Sequence, residues 1–149
     1  MRLSDLEQAA WGGFLLAHDR LWRAMEAGLA STGITMSEYS VLAALENAGD
    51  QGVRMSDLAA LRLMSTGGFT RMADRLEKQD LITRRRSATD KRGFDVVITP
   101  TGRQLLDRAR TRHLDDVRSM FVGRLSAEQL EQLRAIWERL EDQRSPANC

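Results

Sequence analysis

Residues 53–99, VRMSDLAALRLMSTGGFTRMADRLEKQDLITRRRSATDKRGFDVVIT, decide the fold of this chain. Their periodicity predicts a first helix over 56–61, with Ser56 as N-cap, and a turn over 62–64. A second helix is predicted from Ser65, again a hydroxyl N-cap, to about residue 79. Two short helices joined by so short a turn form a helix-turn-helix, a motif in which the second helix enters the major groove of DNA.

A β-hairpin is predicted behind the second helix. Residues 81–83 form one β-prone run and residues 94–99 form another. Between them, residues 84–92 hold five basic side chains and one acidic side chain. A hairpin with an Arg/Lys tip behind a helix-turn-helix is a wing, which reaches phosphates or a neighbouring minor groove. The alternative for a basic run is a solvated face, and its position in the chain favours DNA contact.

Long amphipathic helices flank this central part. The first is predicted over residues 4–31, where Ser4 and Glu7 have the spacing of a capping box. Its apolar residues cover more than one face, so we expect it to bury against more than its own domain. Thr35 and Glu38 repeat the capping-box spacing and predict a supporting helix to about Asn47.

Two further helices are predicted after the hairpin. Thr99 and Pro100 have the cap and first-turn pattern of a helix that runs to about Gly123, and Ser126 has the capping pattern of a last helix. The predicted fold is therefore mainly α with a small β-hairpin, a single domain over residues 1–149. Residues 35–99 would form the winged helix-turn-helix, and residues 4–31 with 100–142 a helical dimerisation layer.

The composition is that of one ordinary globular domain: 149 residues, 42% hydrophobic and 29% charged, with a formal net charge of +1. The charge is unevenly distributed: the hairpin is basic, whereas the charged side chains of residues 126–142 are mostly acidic. This asymmetry fits one end of the molecule facing DNA. The single cysteine, Cys149, cannot form an internal disulfide. With neither a signal peptide nor a long apolar run, these features predict a cytoplasmic protein.

Three motifs in order resemble the multiple antibiotic resistance regulator (MarR) family: T-R-x-x-D-R-L-E at 70–77, D-x-R-G at 90–93 and T-P-x-G at 99–102. The resemblance extends over nearly the whole chain. It implies a homodimer that binds a pseudo-palindromic operator in double-stranded DNA and regulates transcription, usually as a repressor. One departure is Asp80, where the family usually has a glycine; we expect the turn to be kept, since Asp tolerates a left-handed conformation at some cost.

The expected DNA contacts fall in the second helix and the hairpin. In the helix they are Ser65, Thr66, Gly67, Gly68, Thr70, Arg71 and Arg75. The glycines would let the backbone approach DNA, or else mark a frayed helix N-terminus or a close helix contact. Arg75 would reach phosphate, or else pair with Asp74 or a neighbour of Glu77. In the hairpin they are Arg84, Arg86, Lys91 and Arg92. The resemblance implies that Arg92 enters the minor groove and that Asp90 braces the loop.

The family resemblance also implies a small aromatic or phenolic effector, bound in a cleft between the dimerisation and DNA-binding parts. The candidate lining residues are Trp11, His18, Trp22, Tyr39 and His113. The alternative is that these side chains are ordinary core, since aromatic residues and histidines on an apolar stripe are usually packed there. Relatives that sense peroxide use an N-terminal cysteine, which this sequence lacks.

Two other classes of function are alternatives to a DNA-binding regulator. An enzyme is disfavoured, because the sequence has no phosphate-binding glycine loop, nucleophile elbow or His/Cys cluster. With two histidines and one cysteine, a metal site is unsupported, and no cofactor is expected. The second alternative is a winged-helix module that binds protein without specific DNA binding.

Overall fold

The computed structural model describes residues 2–61, 66–87 and 93–141. The helices are α1 (Asp5–Leu29), α2 (Met36–Ala48), α3 (Met55–Leu61), α4 (Thr66–Lys78), α5 (Pro100–Met120) and α6 (Ala127–Glu141). The strands are β1 (Val53–Arg54), β2 (Ile82–Arg86) and β3 (Phe94–Ile98), which form one antiparallel sheet in the order β1–β3–β2. The predicted fold class, mainly helical with a small antiparallel β-element, is confirmed.

The helix starts that depend on local capping chemistry are where the sequence predicts them. Ser4 and Thr35 each form a complete capping box with the glutamate three residues on. The Thr99 hydroxyl accepts the Gly102 N–H at 3.0 Å, and Pro100 occupies the first turn of α5. Ser126 and Gln129 satisfy each other's backbone N–H groups in the same way at the start of α6. These contacts span three residues, so the sequence alone specifies them.

The predicted start of the first helix of the helix-turn-helix is wrong. Val53 and Arg54 form a short strand that pairs with Val96 and Asp95 of β3, a strand that the sequence analysis missed. Helix α3 consequently begins at Met55, and Ser56 lies inside it, with its hydroxyl donating to Asp57 at 3.1 Å. The cause is the pairing of Val53 and Arg54 with β3, a strand about forty residues away, which places these residues in the sheet directly before the helix.

The hairpin is longer than predicted on its first strand. β2 continues through Arg86, with the three arginines 84–86 facing Val96, Asp95 and Phe94 across the ladder. The Ser87 N–H then donates to the Gly93 carbonyl at 3.0 Å. The predicted sites Asp90, Lys91 and Arg92 at the tip lie outside the described residues, as do Ser65 and Cys149.

The helix-turn-helix and the hairpin share one apolar core with α2 and α5. The predicted inward face of α4, formed by Phe69, Met72, Ala73 and Leu76, is buried. It belongs to the same core cluster as the buried face of α2 and, from α5, Leu106 and Ala109. This shared core holds α4 in a defined place against the sheet and α5.

The two ends of the chain lie largely outside this core. In α1 only Leu29 is buried, and in α6 three large apolar side chains are exposed: Ile136 at 49%, Trp137 at 39% and Leu140 at 58%. Trp11, for which ordinary core was the alternative, is 57% exposed. Within one protomer these apolar side chains therefore lie outside the buried core. Among the described residues, no helix is long and apolar enough to cross a membrane.

Candidate nucleic-acid interface

The first turn of α4 presents small residues at the surface. Gly67 is exposed, and among the described residues no atom lies within 4 Å of the place that a β-carbon would occupy. Within the part of the chain that the structure describes, no close helix contact accounts for Gly67. Gly68 and Thr70 are half-buried beside it, and Thr66 is the first residue of the helix. This turn is the part of α4 where another backbone could approach most closely.

Arg71 and Arg75 follow on the same helix, one turn apart, and differ in their contacts. Arg71 is exposed, and its guanidinium has no ion pair or hydrogen bond with the residues that the structure describes. Arg75 instead pairs with Glu38 of α2, with Nε and one terminal nitrogen 2.8 and 2.7 Å from the same carboxylate oxygen. The predicted alternatives for an Arg75 salt bridge, Asp74 and the neighbours of Glu77, are wrong. Arg71 is therefore the more available cation for DNA.

Arg84, predicted to contact phosphate, is occupied within the protein. Its guanidinium pairs with Asp74 and lies 3.3 Å from Glu77, while its backbone N–H donates to Glu77 at 3.0 Å. Its side chain is only 20% exposed. This geometry makes Arg84 a link between the hairpin and α4, and we correct its predicted role accordingly.

The other two arginines of β2 also have contacts within the protein. Arg85 donates to the carbonyl of Asp50 and, at 2.7 Å, to that of Gln51, which ties β2 to the turn after α2. Arg86 is exposed and lies over the Phe94 ring, 5.7 Å from its centroid. Arg86 thus combines an exposed charge with a fixed direction, as a side chain that reaches phosphate would need.

Asp80 supports the junction between α4 and the hairpin. It is the only non-glycine described with a positive φ, at 58°, so the left-handed conformation expected there is confirmed. Its carbonyl accepts the Thr99 hydroxyl at 2.6 Å and its carboxylate accepts the Thr101 hydroxyl at 3.0 Å. These bonds connect the end of α4 to the start of α5, so the departure from glycine leaves the turn intact.

The five predicted effector-site residues fall into two groups. Trp11, His18 and Trp22 lie along α1, where the His18 and Trp22 rings stack with their centroids 6.0 Å apart. Tyr39 and His113 form a separate contact between α2 and α5, with centroids 4.6 Å apart. Burial raises the pKa of Tyr39, although a hydrogen bond from Arg110 opposes the shift, and burial lowers the pKa of His113.

A groove of about 560 Å³ separates α1 and the start of α2 from α4. Trp22 is the member of the predicted set that lines it, and the groove also holds Glu26, Arg71 and Arg75. The remaining lining residues are Thr35, Ser37, Gly68 and Met72. The sequence analysis missed the groove because its walls come from three helices that are distant in the chain.

Sequence and structure comparisons agree with this geometry. Residues 32–93 match a protein-family model described as the MarR family. The HTH-type transcriptional regulator MhqR of Bacillus subtilis (strain 168) is 30% identical over 108 residues, which are 72% of this chain and 72% of that protein. A crystal structure of AbsC, a MarR family transcriptional regulator from Streptomyces coelicolor, is 30% identical with a TM-score of 0.86, covering 98% of this chain and 99% of that one.

A solved complex resembles the chain equally well. The structure of Sco3205, a MarR family transcriptional regulator from Streptomyces coelicolor in complex with DNA, has a TM-score of 0.90 and 26% identity. It covers 99% of this chain and 92% of that one. The likeness spans the flanking helices as well as the central helix-turn-helix and hairpin.

Proposed function

Because this chain belongs to the MarR family of transcriptional regulators, we propose that it represses transcription by binding a pseudo-palindromic operator as a homodimer. Helix α4 would enter the major groove, and the hairpin β2–β3 would lie against the adjacent backbone and minor groove. A homodimer would place two such units about one helical turn of DNA apart.

The observation that carries this proposal is the combination at the first turn of α4. An exposed glycine, Gly67, is followed by an exposed arginine, Arg71, that has no ion pair with the described residues. Small residues permit close approach, and a guanidinium pairs well with phosphate or a guanine edge. Arg86 on β2 supplies a second exposed guanidinium. Arg92, which lies outside the described residues, remains the predicted minor-groove contact.

The homodimer is supported by apolar surface that one protomer leaves uncovered. Phe14 and Trp137 bring α1 and α6 together, with ring centroids 5.8 Å apart. With these two, eight large hydrophobic side chains on α1 and α6 are at least 39% exposed: Leu6, Trp11, Phe14, Leu15, Leu16, Ile136, Trp137 and Leu140. An apolar surface of this extent is characteristic of a protein interface. A second copy of the chain is the partner that the family resemblance implies.

A small-molecule effector would fit the groove beside Trp22. The groove combines an aromatic wall with two arginines, Arg71 and Arg75, on the helix that would read DNA. A small aromatic or phenolic anion would match this lining, and binding there would compete with DNA for Arg71. We propose that the protein acts without a cofactor, that it is not an enzyme and that it works in the cytoplasm.

Fluorescence anisotropy tests the function directly. A labelled duplex of the intergenic DNA beside the protein's own gene is titrated at about 50 and about 200 mM salt, with random duplex as competitor. We expect tight, competitor-resistant binding that weakens steeply with salt, and release of the DNA by an aromatic acid that is an effector. Equal affinity for every sequence tested across the genome would instead favour the protein-binding module.

A further inference from the structure

We propose that Glu38 is a positioning residue: it sets the orientation of α4, through Arg75, and thereby the operator specificity of the protein. The proposal rests on the proposed function, since specificity is the property that it explains. The starting observation is that Glu38 is a buried carboxylate, with its side chain 3% exposed, which pairs with a residue 37 positions away.

The two carboxylate oxygens of Glu38 serve two different elements. One oxygen accepts the Thr35 N–H at 2.8 Å and the Thr35 hydroxyl at 2.9 Å, completing the cap of α2. The other accepts both donors of Arg75, on α4. A carboxylate that is taken out of water needs such partners, so the capped end of α2 and the Arg75 guanidinium are held together.

The same turn of α2 is fixed to the flanking helices. The Met36 N–H donates to Glu26 of α1 at 2.8 Å, and the Tyr39 ring packs on His113 of α5. The first turn of α2 therefore joins α1, α5 and α4 within four residues, Met36 to Tyr39. Any displacement between the flanking helices and α4 must act on the Glu38–Arg75 pair.

Apolar packing places α4 in the core, and the ion pairs of Asp74 and Glu77 with Arg84 tie it to the hairpin, but neither joins it to the capped end of α2 by a directional bond. Its buried side chains, Phe69, Met72, Ala73 and Leu76, contact the core without directional bonds. Hydrogen bonds between charged groups have defined geometry and resist rotation of the helix. Arg71 lies one turn before Arg75 on the same helix, so a rotation of α4 would move it relative to a base edge. The Glu38–Arg75 pair thus affects sequence-specific contacts with the bases more than electrostatic attraction to the DNA backbone.

Glu38→Gln separates the two roles of the carboxylate. The capping-box pattern tolerates Gln, yet an amide has one acceptor oxygen where the carboxylate has two. If that oxygen keeps accepting the Thr35 N–H, the amide NH₂ group faces the guanidinium of Arg75. Both groups are hydrogen-bond donors, so the bond between α2 and α4 is lost. We expect operator affinity to fall about tenfold, with random-duplex affinity and the salt slope unchanged because no phosphate contact is removed.

Variants at Arg75 and Glu46 complete the experiment. Arg75→Gln should match Glu38→Gln and be non-additive with it, whereas Arg75→Lys should recover part of the operator affinity. If Arg75 contacts phosphate instead, Arg75→Gln will weaken binding to every duplex and reduce the salt slope, which would overturn the proposal. Glu46→Gln is the matched control, because Glu46 also lies on α2 but pairs with Arg110 of α5; we expect its operator-to-random ratio to equal that of the wild type.

A distance measurement without DNA tests whether the Glu38–Arg75 pair positions α4. Its result does not depend on the proposed function, so the two proposals can be contradicted separately. Spin labels at Asn47→Cys on α2 and Lys78→Cys on α4, in a Cys149→Ser background, are mixed with excess unlabelled protein to isolate pairs within one chain. Glu38→Gln should broaden or shift the distance distribution, and Glu46→Gln should not. An unchanged distribution in folded Glu38→Gln, or a changed one with wild-type specificity, would overturn the proposal.

Discussion

Two glycines of this chain, Gly67 and Gly102, have different surroundings, which the residue type alone does not indicate. Gly67 lies three residues before the first family motif, at 70–77, and Gly102 ends the third, at 99–102. A β-carbon at Gly102 would lie 2.1 Å from the Leu81 carbonyl oxygen, a backbone atom that cannot move aside, whereas at Gly67 it would meet none of the described residues. Protein packing thus accounts for the glycine at 102. At Gly67, packing among the described residues leaves space for a side chain.

Gly67→Ala should accordingly separate stability from function. Within a helix, alanine is favoured over glycine, so we expect the free energy of unfolding to rise by up to about 0.5–1 kcal/mol in urea denaturation. Operator affinity should fall, because the added methyl group would stand between the backbone and DNA. Gly102→Ala is the comparison and should lose about 1–3 kcal/mol of stability through overpacking. Wild-type operator affinity in Gly67→Ala would show that this turn does not approach DNA.

At the scale of elements, the junction of α4 and β2 depends on one left-handed residue. Asp80 holds φ at 58° and bonds to Thr99 and Thr101 at the start of α5. Asp80→Ala would keep the strain of a β-carbon at positive φ and lose the carboxylate bond, whereas Asp80→Gly would lose only the bond. We therefore expect the alanine variant to be less stable than the glycine variant by about 1 kcal/mol in thermal or urea unfolding. Equal stabilities would show that α4 can end without a left-handed residue.

What the sequence predicts about these elements depends on how far apart the interacting residues lie. The capping boxes of Ser4 and Thr35 are local, and both were predicted. Strand β1 and the pairing of Arg75 with Glu38 were missed, because their partners lie about forty positions away and no periodic pattern encodes them. Arg84 shows the same limit: its charge predicted a phosphate contact, but its acidic neighbours on α4 could be found only once the fold placed β2 beside that helix.

At the scale of the whole molecule, the described chain has a buried core at its centre and open apolar helices at both ends. The aromatic contacts Trp11–Phe14 and Phe14–Trp137 run from α1 to α6, with ring centroids 5.9 and 5.8 Å apart. Yet Trp11 is 57% and Trp137 39% exposed. Side chains of this size contribute strongly to association when they are covered. A protein that left them in water would tend to aggregate, so this surface predicts the assembled state.

Trp137→Asp tests that prediction where α1 and α6 meet. We expect the variant to sediment as a monomer with an unchanged helical content, because Trp137 lies outside the buried core of the protomer. Operator binding should weaken by at least about a hundredfold, since a monomer can engage only one half-site and loses the effective concentration of the second. Analytical ultracentrifugation and the anisotropy titration measure the two effects on the same preparation.

Ala135→Asp provides the matched control on the same helix. Ala135 is exposed and lies two residues from Trp137, about 200° around α6, so its charge would point away from the apolar face. We expect this variant to remain a dimer with wild-type operator affinity. If Trp137→Asp also remained a dimer, the interface would have to lie elsewhere on the chain. If it became monomeric yet bound the operator as well as the wild type does, the two half-sites would not be coupled through this layer.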